Sequence, residues 1–326
     1  MLIALAALLL LAWSCGREMK GTLAFVSNER DGTITVIDTK TDEVIETITV
    51  GGRARGIRVS HDGKTLYVAL STQSGKVHKP EDDRISAIDI ASGRVTANYN
   101  VGSDPEKFDL SLDGKRIYIS NEDAGTASVT DLATNQVIAT EVVGLEPEGV
   151  TLSPDGRWVY VTSESSSTIA VIDTSSNRVV KTFLVGARPR DMAFTPDGAR
   201  AYVSAENGGT VSVVDVATHT VINTIELPHD SEVKPMGVSV SPDGKVVYVA
   251  TGRGNSLAVI DAVNNRFVNM IPVGKRPWGV AVSPDGRKVY TANGLSNDVS
   301  VIDTASNKVI ANIKAGDGPW GIAIRP

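Results

Sequence analysis

The chain has one cysteine and four histidines in 326 residues, and only 5% of it is aromatic. A lone cysteine, Cys15, excludes a disulfide framework and all paired-cysteine chemistry: zinc ribbons, thioredoxin-type exchange and c-type haem attachment. So few histidines disfavour haem-based electron transfer. No GxSxG, HExxH or P-loop occurs, and Gly252-Arg253-Gly254 lacks the third glycine and following helix of a dinucleotide site. The 32 basic residues are outnumbered by 38 acidic ones, a formal charge of −6. The electrostatic footprint of a nucleic-acid binder is therefore missing.

The apolar run at residues 2–12 is too short to span a bilayer and suits the core of a secretory signal. Cys15 follows where a lipoprotein cysteine would sit, although Trp13 is bulky beside a cleavage site and the basic leader is missing. Residues 1–19 are expected to be a signal, with Cys15 a candidate for lipidation. The rest is expected to be periplasmic or secreted, touching a membrane only through that lipid.

What the chain does have is Val, Ile, Thr, Ser and Gly, an all-β composition. Short apolar runs such as GVAV, KVYTAN, DVSVID and KVIANI alternate with turn signals such as SPDG and TASN. An aspartate closing each third run falls at 38, 89, 131, 173, 215, 261 and 303, so most units are 42 residues long. Four strands per unit at that period indicate a β-propeller. The chain opens on strands two to four of a unit and ends on a lone first strand, which predicts seven blades closed by the C-terminal strand. Residues 20–326 read as one monomeric domain. Two polar insertions, at 71–84 and 229–234, are expected to be surface loops. They carry His78 and His229, the only imidazoles placed to act as ligands or bases.

Most repeat positions are scaffold. Ser-Pro-Asp-Gly supplies a preset φ, a local acceptor and a positive φ in sequence, and the strand-ending aspartates cap the next turn. Two positions vary where the fold requires nothing. One, just inside the first strand, reads Arg55, Glu106, Glu148, Arg190, Met236, Trp278 and Trp320. The residue after it is glycine except at Lys107 and Asp191, whose side chains should project into the channel. The other reads Glu29, Ser71, Glu122, Glu164, Glu206, Gly252 and Gly294. Six glutamates and an apolar patch of Met236, Trp278 and Trp320 thus share one face, the character of a ligand or partner site. Glu29, Glu122, Glu164 and Glu206 are candidate ligands for a hard cation such as Ca²⁺. The competing reading has Arg55, Arg190 and Lys107 neutralise these carboxylates.

The Tyr118–Asn121 and Tyr160–Ser163 strand motifs, with their Val-Ile-Asp partners, resemble the YVTN family of β-propellers over residues 21–326. The stretches 27–29, 104–106, 120–122, 146–149, 188–190, 293–298 and 319–321 resemble its PQQ-dependent catabolism-associated branch. That resemblance implies an accessory of PQQ-linked periplasmic alcohol oxidation, and the expectation for this chain is a non-enzymatic one. It would bind a small molecule or a protein, such as the dehydrogenase or its transport system, and no PQQ-binding residue carries over. The expected function is therefore binding at the strand-entry face. The alternative is a metal-dependent, lactonase-like hydrolase with its cation at the channel mouth.

Overall fold

The computed structural model describes residues 19, 21–73, 75–228 and 232–325. Cys15, the apolar run and His229 lie outside these residues. Seven four-stranded antiparallel sheets form the ring. In blade one the C-terminal strand Pro319–Ile324 pairs with Leu23–Asn28, with Phe25 opposite Ala323. The two ends of the chain close the ring as the repeat predicts, so Leu23–Asn28 is paired on both sides instead of standing as an edge.

Period-two alternation decides how blades pack. On Leu23–Asn28, Leu23 and Phe25 face blade two, against Leu66, Val68 and Leu70. Ala24 and Val26 face the other way, against Tyr290, Val299 and Val301 of blade seven. In blade one the second strand is therefore buried throughout and the third is buried except at its ends, while the outermost strand is largely exposed. Each such side chain contributes about 1.5–3 kcal/mol by leaving water.

The turns behave as the sequence indicates. In the first-to-second-strand turn of blade four, Ser153 Oγ donates to Asp155 Oδ1 at 2.6 Å, and Gly156 takes φ +73°. After the third strand, Asp173 accepts the Ser175 amide at 2.8 Å, and Asn177 takes φ +54°.

The first strands carry a feature that positions the site. In blade four Pro147 pairs with Ser163 and Val150 with Val161, so Glu148 and Gly149 together oppose Thr162 alone. The same two-against-one bulge places Arg55-Gly56, Glu106-Lys107, Arg190-Asp191, Trp278-Gly279 and Trp320-Gly321. A bulge re-aims the side chain that it displaces, here toward the channel. Where the opposing residue carries a hydroxyl, it ties adjacent blades together. Ser120 Oγ accepts the Lys107 amide at 3.1 Å and donates to the Glu148 carbonyl of the next blade at 2.7 Å. Ser204 does the same between Asp191 and Met236. Gly279 shows why glycine is used in the bulge: a Cβ there would lie 2.6 Å from the Trp320 carbonyl oxygen.

Candidate functional site

The axial channel has three contiguous parts. Its mouth, on the strand-entry face, is a cavity of about 380 Å³ lined by Arg30, Arg53, Arg55, Arg188, Arg190 and Arg276, by Glu29, Glu106, Glu122 and Glu148, and by Trp278 and Trp320. A narrow waist of about 70 Å³ follows, containing Lys107, Asp191 and Met236. The far end widens again to about 440 Å³.

The charges of the mouth fall into two clusters. In the first, Arg53 and Arg55 stand 2.7 and 3.1 Å from Glu29 Oε1. Arg55 ion-pairs Glu106 and lies 3.6 Å from Glu122, and Arg53 lies 3.7 Å from Asp104. In the second, Arg190 ion-pairs Glu164 and lies 3.4 Å from Glu148 and 3.7 Å from Glu206. Arg188 completes that cluster, 2.7 Å from Glu164 and 3.1 Å from Glu206. Arg55, Glu106, Glu148 and Glu164 are all buried. Such pairs gain little over an apolar core, but each partner needs the other once dehydrated.

Glu29 and Glu122 thus belong to one cluster, and Glu164 and Glu206 to the other. Among the described residues, the carboxylates grouped with their oxygens within 4.8 Å of one another are Asp104, Glu106 and Glu122, of which only Glu122 belongs to the four named from sequence. That spacing alone would suit a hard cation. However, Arg55 already pairs Glu106 and approaches Glu122, and Arg53 approaches Asp104, so each carboxylate already faces a guanidinium. The donor set does not fit a divalent cation.

Glu122 differs from the other mouth carboxylates. Burial pushes its pKa up to about 7, repulsion from Glu148 and Asp104 adds to the rise, and Arg53 and Arg190 oppose it. Its side chain remains 30% exposed, open to the cavity. A carboxyl poised near neutrality in a cleft can take and return a proton.

The apolar patch expected from Met236, Trp278 and Trp320 takes another form. Met236 is buried at the waist. Trp278 and Trp320 stack with their ring centroids 6.3 Å apart and their planes 23° apart. Cations cover their faces: Arg190 and Arg276 lie 5.3 and 4.9 Å from the Trp278 ring, and Lys107 lies 5.3 Å from that of Trp320. The mouth is therefore a charged, aromatic-floored basin rather than an apolar surface beside an acidic sector.

His78 sits at the rim, in the insertion of blade two. Its Nε2 is 2.8 Å from Asp83 Oδ2, and that carboxylate raises the imidazole pKa. Asp83 also accepts the Asp104 amide at 3.0 Å, so the histidine helps anchor its own loop.

Sequence reasoning missed Arg30, Arg53, Asp104, Arg188 and Arg276. A signal existed for three of these. Asp104, Arg188 and Arg276 each precede the proline that opens a first strand, and each takes a positive φ, of 44°, 58° and 54°. The test for repeat divergence, moved one position earlier than that proline, finds them.

Residues 173–310 match the family model described as "Lactonase, 7-bladed beta-propeller". This match overturns the expectation of a non-enzymatic, partner-binding propeller. Among solved structures, the chain is similar to Kuenenia stuttgartiensis hydrazine synthase, with 24% identity, a TM-score of 0.74, and 86% of this chain and 95% of that one covered. It is similar to a candidate 6-phosphogluconolactonase of Bacteroides uniformis, with 18% identity, a TM-score of 0.78, and 94% and 100% covered. A second such candidate, of Bacteroides fragilis, gives 20% identity, a TM-score of 0.76, and 93% and 98% covered. At these identities the likeness is one of fold. No curated protein matches the chain. Residues 14–186, just over half of the chain, match the choice-of-anchor I domain model, and the chain belongs to that family.

Proposed function

We propose that the protein is a lactonase-like hydrolase acting at the channel mouth, with Glu122 as its general base. The lactonase family match over residues 173–310 supports the reaction class. The observation that carries the reading is Glu122 itself, a carboxyl held near neutral pKa inside a cavity large enough for a small lactone.

Each step follows from the residues present. The Glu122 carboxylate removes a proton from water as the water oxygen attacks the lactone carbonyl carbon. Negative charge gathers on the former carbonyl oxygen, in the field of Arg53, Arg55 and Arg190. Preorganised cations of this kind need no reorganisation during the step. When the intermediate collapses, the ring C–O bond breaks and the leaving alkoxide takes the proton back from Glu122. The product is an open-chain hydroxy acid.

The mouth also suits a substrate bearing an anionic group. Arg276 pairs with no carboxylate among the described residues and lies beside Trp278. A guanidinium on an aromatic face can receive a phosphate or carboxylate while its ring packs against a sugar-like body. The two Bacteroides neighbours, described as candidate 6-phosphogluconolactonases, agree with that choice. The YVTN-type repeat, seen in Tyr118–Asn121 and Tyr160–Ser163, and export on the apolar run at 2–12 belong to the same proposal.

The test is hydrolysis of δ-gluconolactone and 6-phosphogluconolactone by purified protein, with and without EDTA. Ring opening by wild type in both conditions, with Glu122→Gln at background, is expected. Wild-type rates equal to the uncatalysed rate for both substrates would overturn the reading.

A further inference from the structure

We propose that Lys107 and Asp191 form a bar across the channel waist that limits how far a substrate reaches below the mouth. The inference rests on the hydrolase reading and adds a specificity element to it. Lys107 comes from the first strand of blade three. Its Nζ lies 2.8 Å from Asp191 Oδ2 of blade five and 5.3 Å from the Trp320 ring of blade one. Blade four, between them, presents Gly149 at the same position and so offers no side chain to the gap. One ammonium therefore connects three non-adjacent blades. The salt bridge is mostly shielded, its side chains 16% and 14% exposed.

The three parts of the channel fit such a barrier. Glu148, Arg190, Trp278 and Trp320 line both mouth and waist, and Met192, Val238, Val280 and Ile322 line both waist and far end. The three cavities share lining residues, and the free space where the bar lies is about 70 Å³, against about 380 Å³ in the mouth and about 440 Å³ in the far end. Beyond the bar the walls carry Leu152, Phe194, Val240, Val282 and Ile324 beside the polar Arg58, Thr151 and Ser239. Five of seven blades use glycine at the bar position, and Gly237 and Gly279 would each press a Cβ into the next blade's backbone. Lys107 and Asp191 are thus departures that the packing of the other blades does not call for. Asp191 is held in place by the Val238 amide at 3.2 Å, leaving the lysine as the movable half.

With the bar in place the mouth takes a compact polar lactone, and an alkyl tail has nowhere to go. With the bar removed, a tail would descend among the apolar side chains of the far end, such as Phe194, Val240 and Val282. Each methylene placed there is worth roughly fourfold in binding, so chain length is the sensitive variable.

The experiment compares kcat/KM on γ-butyrolactone and γ-decalactone for wild type, Lys107→Arg, Lys107→Ala and the double variant Lys107→Ala/Asp191→Ala. The double variant avoids leaving Asp191 unpaired should the single one fold poorly. The ratio of long-chain to short-chain kcat/KM is expected to rise at least tenfold in the alanine variants and to stay near wild type in Lys107→Arg. An unchanged ratio in a folded alanine variant overturns the bar. Calorimetric binding of decanoate separates this outcome from failure of the hydrolase reading. If wild type opens no lactone, tenfold tighter decanoate binding by the alanine variants still supports the bar, and equal binding overturns it.

Discussion

At the turns between first and second strands, aspartates such as Asp155 and Asp285 accept a serine hydroxyl and a backbone amide, and both pKa values fall below the ordinary carboxylate range. At the mouth, on the opposite end of the blades, Glu122 is pushed the other way by burial and by neighbouring carboxylates. A charge satisfied by its own turn is stable and chemically idle. A charge dehydrated among its own kind is costly to maintain and ready to exchange a proton. The difference separates scaffold from site without reference to residue type.

That contrast can be broken in several ways. The largest effect is expected from Arg190→Ala, which strands the buried Glu148 carboxylate and leaves the buried Glu164 with Arg188 alone. Removing one side of a buried pair costs about 3–5 kcal/mol, readable as a lower midpoint in urea. Glu122→Gln is expected to lower kcat at least about 100-fold, the usual weight of a general base, measured on a gluconolactone at pH 8.

The same substitution has the opposite effect on stability. Glu122 has a folded-state pKa near 7, above the ordinary value of 4.5, so the folded protein holds its proton more tightly. Its contribution is unfavourable once the group is charged. Wild-type stability is therefore lost as pH rises from about 4.5 to 7. Glu122→Gln should flatten that decline and gain about 1–2 kcal/mol above pH 7, discounted for partial exposure. Denaturant melts at pH 5 and pH 8 check both the sign and the window.

The smallest effect is expected from Asp285→Ala, which removes the acceptor for Ser283 Oγ and the Arg287 amide. A lost turn bond of this kind costs about 1 kcal/mol, and lactone hydrolysis should be unchanged. A fall in kcat there would blur the division between turn and mouth.

Much of this was legible in the sequence. The 42-residue period, the turn chemistry and the unmatched C-terminal strand specify seven closed blades, because each property is local and repeated. The face of the site was legible too, since Arg55, Glu122, Arg190, Trp278 and Trp320 stand where the repeats disagree. The pairing was not. Arg55 meets Glu106 and Glu122 because bulges turn side chains of neighbouring blades toward one axis, and no periodicity reports such a convergence. Four of the six bulges left one trace, the Ser or Thr opposite them at Ser27, Ser120, Thr162 and Ser204, which reads as ordinary strand composition. The reach of Lys107 to Asp191 was hidden for the same reason: the two are neighbours only across a closed ring.

The central claim is tested most directly by the pH dependence of kcat/KM for lactone opening by the wild-type protein. A rise with pH through a midpoint near 7, absent from Glu122→Gln, is predicted. A midpoint near 4.5, or a profile that Glu122→Gln leaves intact, would contradict the assignment of Glu122 as the base.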